Sequence, residues 1–249
     1  MDKNVQTKLI IVIILAIFIL LGLLYMFIDS KISDNPKPTP TMEPTIEPTI
    51  IPTEEPEPTP TIEVIVDIDS DNSINKLANK EKLISDTYVP ELVQVEGTDK
   101  KLRPEAADAY LEMVEAAKNE NINIILISGY RSYSEQRSLW YTYEEKYGRK
   151  YANRMDATPG ASEHQLGLAV DLGGADGKCK LYECFENTST GKWLFENAYK
   201  YGYILRYPKG KESVTGIMYS PWHYRYIGKE EAQKVFDSNL TLEEFYQDK

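Results

Sequence analysis

The chain has 249 residues and a formal net charge of -11 at pH 7, with 39 acidic and 28 basic side chains. An acidic chain without a basic stripe cannot neutralise a phosphate backbone, so the composition excludes nucleic acid as a partner. Only two histidines and two cysteines are present, which confines imidazole and thiol chemistry to very few positions.

Residues 9–28 form an uncharged apolar run, LIIVIILAIFILLGLLYMFI. At about 1.5 Å per residue, such a helix spans the roughly 30 Å core of a bilayer, so the run predicts a transmembrane helix. A cleaved signal peptide is the less favoured alternative, because the run is long and no small-residue cleavage site follows it. Lys3 and Lys8 precede the run and favour a cytoplasmic tail over residues 1–8. We therefore expect a single-pass protein of the cell membrane with an extracytoplasmic domain.

Residues 29–73 are predicted to be a linker. Nine of the fourteen prolines lie between Pro36 and Thr61, interleaved with Thr and Glu, and this composition favours an extended chain of about 3.1 Å per residue. The remainder, 74–249, is long enough for one compact domain. Cys179 and Cys184 lie in this domain, and the sequence leaves open whether they form a disulfide.

The sequence of the first half of this domain predicts two helices and one strand. Arg103-Pro104 begins a helix, since proline is favoured in the first turn. The apolar run 122–127 predicts a buried strand. Residues 132–147 predict a second helix, capped by Ser132 or Ser134 and ended by Gly148.

The second half predicts strands over 167–174, 203–208 and 222–228, a helix over 191–201 and two short helices after residue 229. This uneven succession indicates an α+β fold, a single compact domain with a small central antiparallel sheet flanked by helices.

The two histidines lie in the segments that carry the most chemistry. His164 precedes the strand of Asp171, and His223 lies in an aromatic strand where it alternates with Arg225. If residues 167–171 are extended, Gly167, Ala169 and Asp171 share one face and leave a hollow beside the carboxylate. Two imidazoles and one carboxylate suit a zinc site that keeps a position open for water.

These segments closely resemble a known family. The pattern S-x-H-x-x-G-x-A-x-D followed by P-W-H-Y-R-Y-I-G, with SGYRS upstream and YGYILRYPKGKESVTG between them, is similar to the VanY-type D-Ala-D-Ala carboxypeptidases of the M15 zinc peptidases. The resemblance covers residues 80–235. It implies zinc ligands at His164, Asp171 and His223, and an oxyanion-stabilising or substrate-orienting role for Arg131. It also implies contacts from Gln136 and Ser162 to the terminal carboxylate of the substrate.

One position departs from the family pattern. The resemblance places a general-base glutamate three residues before the second zinc histidine, where this chain has Ser220. A serine hydroxyl is a poor proton acceptor at neutral pH, and a placed general base contributes roughly 100- to 10,000-fold in rate. Four glutamates elsewhere are candidate substitutes, and the sequence does not distinguish them: Glu163, Glu183, Glu186 and Glu212.

The resemblance implies a zinc-dependent enzyme that hydrolyses the terminal D-alanine of peptidoglycan stem peptides by zinc-activated water. Two alternatives stay open. Because of Ser220, the chain is alternatively a catalytically weak or silent homologue that binds zinc and peptidoglycan. The second alternative is an L,D-carboxypeptidase or an endopeptidase of the same family.

Overall fold

The computed structural model describes residues 66–247. The predicted cytoplasmic tail (1–8), the predicted transmembrane helix (9–28) and most of the predicted linker (29–73) lie outside these residues. Within 66–247, no helix is both long enough and apolar enough to span a bilayer. Ile68, at the start of the described range, is buried among residues of the domain that include Ile204 and Ile227.

The centre of the domain is a four-stranded antiparallel sheet. Its strands in chain order are β3 (Ile124–Ser128), β4 (Ala169–Gly174), β5 (Tyr203–Leu205) and β6 (His223–Tyr226), after a small hairpin of β1 (Val93–Gln94) and β2 (Lys101–Leu102). The spatial order in the sheet is β3-β4-β6-β5. The two middle strands, β4 and β6, therefore carry the two histidine motifs side by side.

Seven α-helices surround this sheet in the described part of the chain. They are α1 (Pro104–Asn119), α2 (Tyr133–Tyr147), α3 (Arg149–Met155), α4 (Ser189–Asn197), α5 (Glu212–Thr215), α6 (Lys229–Ser238) and α7 (Leu242–Phe245). Three 3-10 turns add Glu163–Leu166, Glu183–Asn187 and Ala198–Tyr201. The predicted α+β class, with a small antiparallel sheet flanked by helices, is confirmed.

One face of the sheet packs on the main hydrophobic core. Val170, Leu172 and Tyr224 point to this face and share a cluster with residues of α1 such as Met113. The Tyr203 hydroxyl also donates to the Ala106 carbonyl at 2.6 Å, which joins β5 to α1. Because strand side chains alternate, Asp171, His223 and Arg225 all point to the opposite face.

The structure corrects several element predictions. The strand predicted over 122–127 spans Ile124–Ser128 and is only half buried, since Ile125 faces outward. Helix α3 lies in a polar stretch for which no helix or strand was predicted. The helix predicted over 191–201 begins at Ser189 and continues from Asn197 into a 3-10 turn. The strands predicted over 203–208 and 222–228 are shorter, ending at Leu205 and Tyr226.

Gly167 lies outside the strand that was predicted to include it. It ends the Glu163–Leu166 turn with a φ of 69°, a left-handed conformation that favours glycine. A Cβ atom at this position would also lie 3.2 Å from the Arg103 backbone nitrogen. The glycine therefore serves the turn before β4, and the strand begins at Ala169.

Candidate active site

The turn that carries His164 is fastened to the end of β3. The His164 Nδ1 atom lies 2.7 Å from the Gly129 carbonyl, and the Arg131 backbone nitrogen donates to the His164 carbonyl at 3.1 Å. Gly129 itself needs to be glycine, because a Cβ atom there would lie 2.7 Å from the Lys101 carbonyl oxygen. With Nδ1 donating to a carbonyl, Nε2 is the nitrogen of His164 that is left to bind a ligand.

Asp171 lies between the two histidines. It is directly opposite His223 in the β4–β6 register. The His223 Nδ1 atom is 3.0 Å from Asp171 Oδ1, and the His164 Nε2 atom is 3.3 Å from Asp171 Oδ2. Burial alone would raise the pKa of Asp171, but the two imidazoles outweigh it and hold that pKa well below its usual range.

These three side chains fit a metal ion. One ligand atom from each of His164, Asp171 and His223 lies within 4.8 Å of the other two, and all three residues are buried. Two imidazole nitrogens and a carboxylate oxygen are ligands that zinc accepts, and three protein ligands leave a fourth position open. The predicted ligand set is therefore brought together.

A buried ionic cluster supports His223 on the side away from Asp171. The Glu163 Oε2 atom is 3.7 Å from His223 Nε2. Glu163 Oε1 accepts from Arg206 Nε at 2.7 Å and from Arg225 Nη1 at 2.9 Å, and Glu243 makes two more hydrogen bonds to Arg206. Burial opposes ionisation of Glu163, but the two guanidinium groups hold its pKa well below its usual value.

The hollow predicted beside Asp171 is partly filled by this cluster. Ala169 is directly opposite the fully buried Arg225 in the β4–β6 register, so the small side chain leaves room for a guanidinium group. The alternation of His223 with Arg225 was a usable signal for this contact. Arg206 reaches Glu163 from the residue just after β5; it lies in the family-like segment YGYILRYPKGKESVTG, but no role was predicted for it.

Arg131 is positioned by a second polar network. Its guanidinium donates to Gln136 Oε1 at 2.6 Å and to the Ser128 hydroxyl at 3.1 Å. Gln136 donates in turn to Asp156 Oδ1 at 3.2 Å and to the Ala157 carbonyl at 2.7 Å. Burial raises the pKa of Asp156 despite Arg131 Nη1 at 3.8 Å. Gln136 is fully buried, and its hydrogen bonds hold the Arg131 guanidinium in place. Asp156 was not identified from the sequence as part of this site.

These groups open into one cavity of about 460 Å³. Arg131, Ser162, Ser220 and the three candidate metal ligands all line it. Aromatic and aliphatic side chains complete the walls: Leu139, Tyr143, Tyr151, Met155, Leu181, Tyr182, Tyr207, Ile217, Met218, Tyr219 and Trp222. Polar groups that converge at one end of a mostly apolar cavity are typical of an enzyme site for a small or extended ligand.

Part of the cavity rim is a disulfide-closed loop. Cys179 and Cys184 form a disulfide, which answers a question that the sequence left open. The bridged loop presents Leu181, Tyr182 and Glu183 to the cavity. Leu181 has a φ of 58°, an unusual conformation for a side chain of this size.

Ser220 lies in the cavity wall close to His223. Its hydroxyl donates to the Met218 carbonyl at 3.0 Å, and the His223 backbone nitrogen donates to the Ser220 carbonyl at 3.0 Å. Among the four candidate glutamates, Glu163 and Glu183 line the cavity. Glu186 is engaged by Lys209 and by the Tyr219 hydroxyl, and Glu212 accepts from the Gly210 backbone nitrogen.

An open three-ligand centre beside the partly buried Arg131, on this small antiparallel sheet, defines a metallohydrolase site. Residues 99–229 match the VanY family, described as D-alanyl-D-alanine carboxypeptidase. The YodJ protein of Bacillus subtilis is 39% identical over 189 residues, which cover 72% of this chain and 69% of YodJ.

Solved structures of carboxypeptidases and peptidases are also similar to this chain in fold and sequence. The LdcB LD-carboxypeptidase has a TM-score of 0.67 and 41% identity, over 71% of this chain and 87% of that chain. A mutant of the VanY D,D-pentapeptidase from a VanB-type resistance cassette, in complex with Zn(II), has a TM-score of 0.61 and 32% identity. That match covers 68% of this chain and 96% of the other. The chain therefore belongs to the VanY family of D-alanyl-D-alanine carboxypeptidases and is a metallocarboxypeptidase.

Proposed function

We propose that the protein is a zinc-dependent carboxypeptidase that removes the terminal D-alanine from peptidoglycan stem peptides. The observation that carries this proposal is the convergence of His164, Asp171 and His223 within 4.8 Å in a cavity that also contains Arg131. Zinc is the proposed ion because a VanY relative binds Zn(II) and because the donor set suits it.

The metal ion and the residues around it would have different roles in the reaction. Bound zinc would lower the pKa of water and polarise the scissile carbonyl. The Glu163 carboxylate, held by Arg206 and Arg225, lies 3.7 Å from His223 Nε2 and so favours the ring orientation that directs Nδ1 at Asp171. Arg131 offers a fork of donors for the terminal carboxylate of the substrate or for the developing oxyanion. Ser162, on the cavity wall, is proposed to contact the same carboxylate.

The site has no carboxylate at the position where the family resemblance places the general base. Glu163 is unsuited to the role because two arginines lock its carboxylate and it lies on the Nε2 side of His223. Glu183 lies on the exposed rim, and Asp156 is occupied by Gln136 and Arg131. We therefore propose that turnover is slow, since the residue at the family's base position is Ser220.

The family description and one structural relative indicate different substrates. The family description names D-alanyl-D-alanine, whereas the LdcB relative is an LD-carboxypeptidase. We propose D,D specificity, with L,D specificity as the second candidate on the strength of that relative. An endopeptidase of the same family is the third alternative.

We also propose that residues 9–28 anchor the protein in the cell membrane, with the enzyme domain outside the cytoplasm. The uncharged apolar run and the basic residues before it support this arrangement. Protease added to intact cells should remove the domain, and alkaline carbonate should leave the protein in the membrane fraction. Protection of the domain in intact cells would contradict the proposed orientation.

The test of the enzymatic proposal uses the full-length protein in detergent, loaded with zinc. Released D-alanine is measured with diacetyl-L-Lys-D-Ala-D-Ala and, separately, with a tetrapeptide that ends in L-Lys-D-Ala. We expect slow, chelator-sensitive release from the first substrate. Release only from the second would establish L,D specificity. If neither substrate is hydrolysed by the wild type but Ser220→Glu hydrolyses the first, the natural protein is the silent homologue.

A further inference from the structure

Three tyrosines form a continuous path out of the catalytic cavity. Tyr143 and Tyr147 lie one turn apart on α2, and Tyr151 follows on α3. The ring centroids of Tyr143 and Tyr147 are 6.3 Å apart, and those of Tyr147 and Tyr151 are 5.5 Å apart. Tyr143 and Tyr151 line the catalytic cavity, so the path begins inside the site and continues beyond it.

The path leads into a second, more open cavity of about 430 Å³. Tyr147 and Tyr151 line it together with Arg149, Lys150 and Arg154. Tyr147 is 44% exposed and Tyr151 is 43% exposed. Both rings therefore present apolar surface to solvent. Tyr151 lines both cavities, so the two cavities adjoin at this side chain.

The second cavity is basic on an acidic protein. Between residues 144 and 154 there are four cationic side chains, Lys146, Arg149, Lys150 and Arg154, and only two acidic ones, Glu144 and Glu145. Glu144 is already paired with Arg149, and the Lys146 ammonium lies 4.9 Å from the centroid of the Tyr147 ring. The local excess of positive charge favours a ligand that carries carboxylates.

We infer that Tyr147, Tyr151, Lys150 and Arg154 form a distal subsite for the part of peptidoglycan that lies away from the scissile bond. Sugar rings stack their CH faces on the exposed tyrosines, and the basic side chains pair with a free carboxylate of the stem peptide. The inference rests on the proposed function for the identity of the ligand. It explains why an aromatic, cationic surface continues from the cavity, whereas a scattered surface tyrosine needs no partner.

The test compares two substrates with the same terminal residues, using full-length protein. One is diacetyl-L-Lys-D-Ala-D-Ala, and the other is a disaccharide pentapeptide with the same C-terminus. The measured quantity is the ratio of kcat/KM for the long substrate to that for the short one. We expect Tyr147→Ala to lower this ratio roughly 3- to 10-fold, mainly through KM for the long substrate. Tyr147→Phe should restore the ratio because it keeps the ring.

Charge and position have their own controls. The double variant Lys150→Glu/Arg154→Glu should lower the ratio about 10-fold at low salt and less at high salt, because screening weakens exposed charges. Phe195→Ala removes a ring that is 59% exposed on α4 and should keep the wild-type ratio. A wild-type ratio in both Tyr147→Ala and the double variant would overturn the inference.

A second readout does not need turnover. Metal-stripped protein is sedimented with insoluble peptidoglycan, and we expect a smaller bound fraction for Tyr147→Ala than for the wild type and Phe195→Ala. If the wild type hydrolyses nothing but its sedimentation depends on Tyr147, the proposed function fails and the distal subsite stands. If hydrolysis occurs and neither readout depends on Tyr147, the subsite fails and the proposed function stands.

Discussion

Asp171 and His223 are directly opposite each other on neighbouring antiparallel strands, with 3.0 Å between Asp171 Oδ1 and His223 Nδ1. The sheet register thus fixes two of the three candidate metal ligands relative to each other. The third, His164, is fixed by its contacts with the loop that follows β3. Two ligands are therefore held on neighbouring strands and the third on a turn that is hydrogen-bonded to the sheet's edge, so the ligands are attached to rigid elements.

The variant Asp171→Asn should lose most metal affinity. The amide keeps the shape of the side chain but removes the negative charge that lies between two imidazoles, and we expect at least about 100-fold weaker zinc binding. Zinc content after dialysis against a metal buffer measures this, and calorimetry supplies the affinity. Ser220→Ala is the control, since it changes the same cavity without touching a ligand atom. Equal zinc content in Asp171→Asn and wild type would exclude Asp171 as a ligand.

The variant Glu163→Gln should destabilise the domain. It leaves Arg225 and Arg206 in a fully buried environment without their shared carboxylate, and breaking a buried ion pair in this way costs about 3–5 kcal/mol. Denaturant unfolding measures the loss. The control is Glu112→Gln, which breaks the exposed pair with Lys229 and should have little effect on stability, because solvent screens exposed ion pairs. A similar small loss in Glu163→Gln would contradict the structural role of the buried cluster.

The same variant carries a pH signature. The pKa of Glu163 is held below its usual value in the folded protein, so its contribution to stability is complete above the unfolded pKa of about 4.3. That contribution is lost as the pH falls towards the folded pKa. The difference in unfolding free energy between wild type and Glu163→Gln should therefore shrink below about pH 4. A constant difference from pH 7 to pH 3 would show that another effect causes the destabilisation.

The variant Ser220→Glu should increase the rate of D-alanine release. A carboxylate at this position of the cavity wall can accept a proton where the serine hydroxyl cannot, and a general base contributes roughly 100- to 10,000-fold. The matched control is Ser220→Gln, which has the same size without basicity and should stay at the wild-type rate. If the wild type is already as fast as Ser220→Glu, another carboxylate replaces the base, and Asp156→Asn and Glu183→Gln would then show which one.

The sequence was sufficient to predict the centre of the site because its residues obey local rules. Asp171 and His223 lie in strands with clear alternation, and the arrangement of Ser132 and Glu135 at the start of α2 is a capping box that the serine already indicated. The pairing of β4 with β6 is not local, and no pattern in the sequence predicted it; the family resemblance implied only that Asp171 and His223 bind the same metal ion. Once that pairing is given, the adjacency of the two ligands follows.

Other parts of the site depend on contacts between distant segments. Arg206 reaches Glu163 from 43 residues away along the chain, and no periodicity marks such a pair. Asp156 follows α3, a short helix in a polar stretch without an apolar pattern that would predict it. Gln136 was assigned to the substrate carboxylate by resemblance, and that role stays a prediction, whereas its position behind Arg131 is a matter of tertiary packing.

Removal of the disulfide should loosen the cavity rim more than it destabilises the fold. The bridge between Cys179 and Cys184 closes a short loop, for which chain entropy predicts at most about 2 kcal/mol. The same loop presents Leu181, Tyr182 and Glu183 to the cavity. We therefore expect Cys179→Ser/Cys184→Ser to raise KM for the short substrate several-fold, with kcat affected less. Tris(2-carboxyethyl)phosphine, a reductant without thiols, should reproduce the change in wild type and have no effect on the double variant. A wild-type KM in the double variant would show that the loop keeps its shape without the bridge.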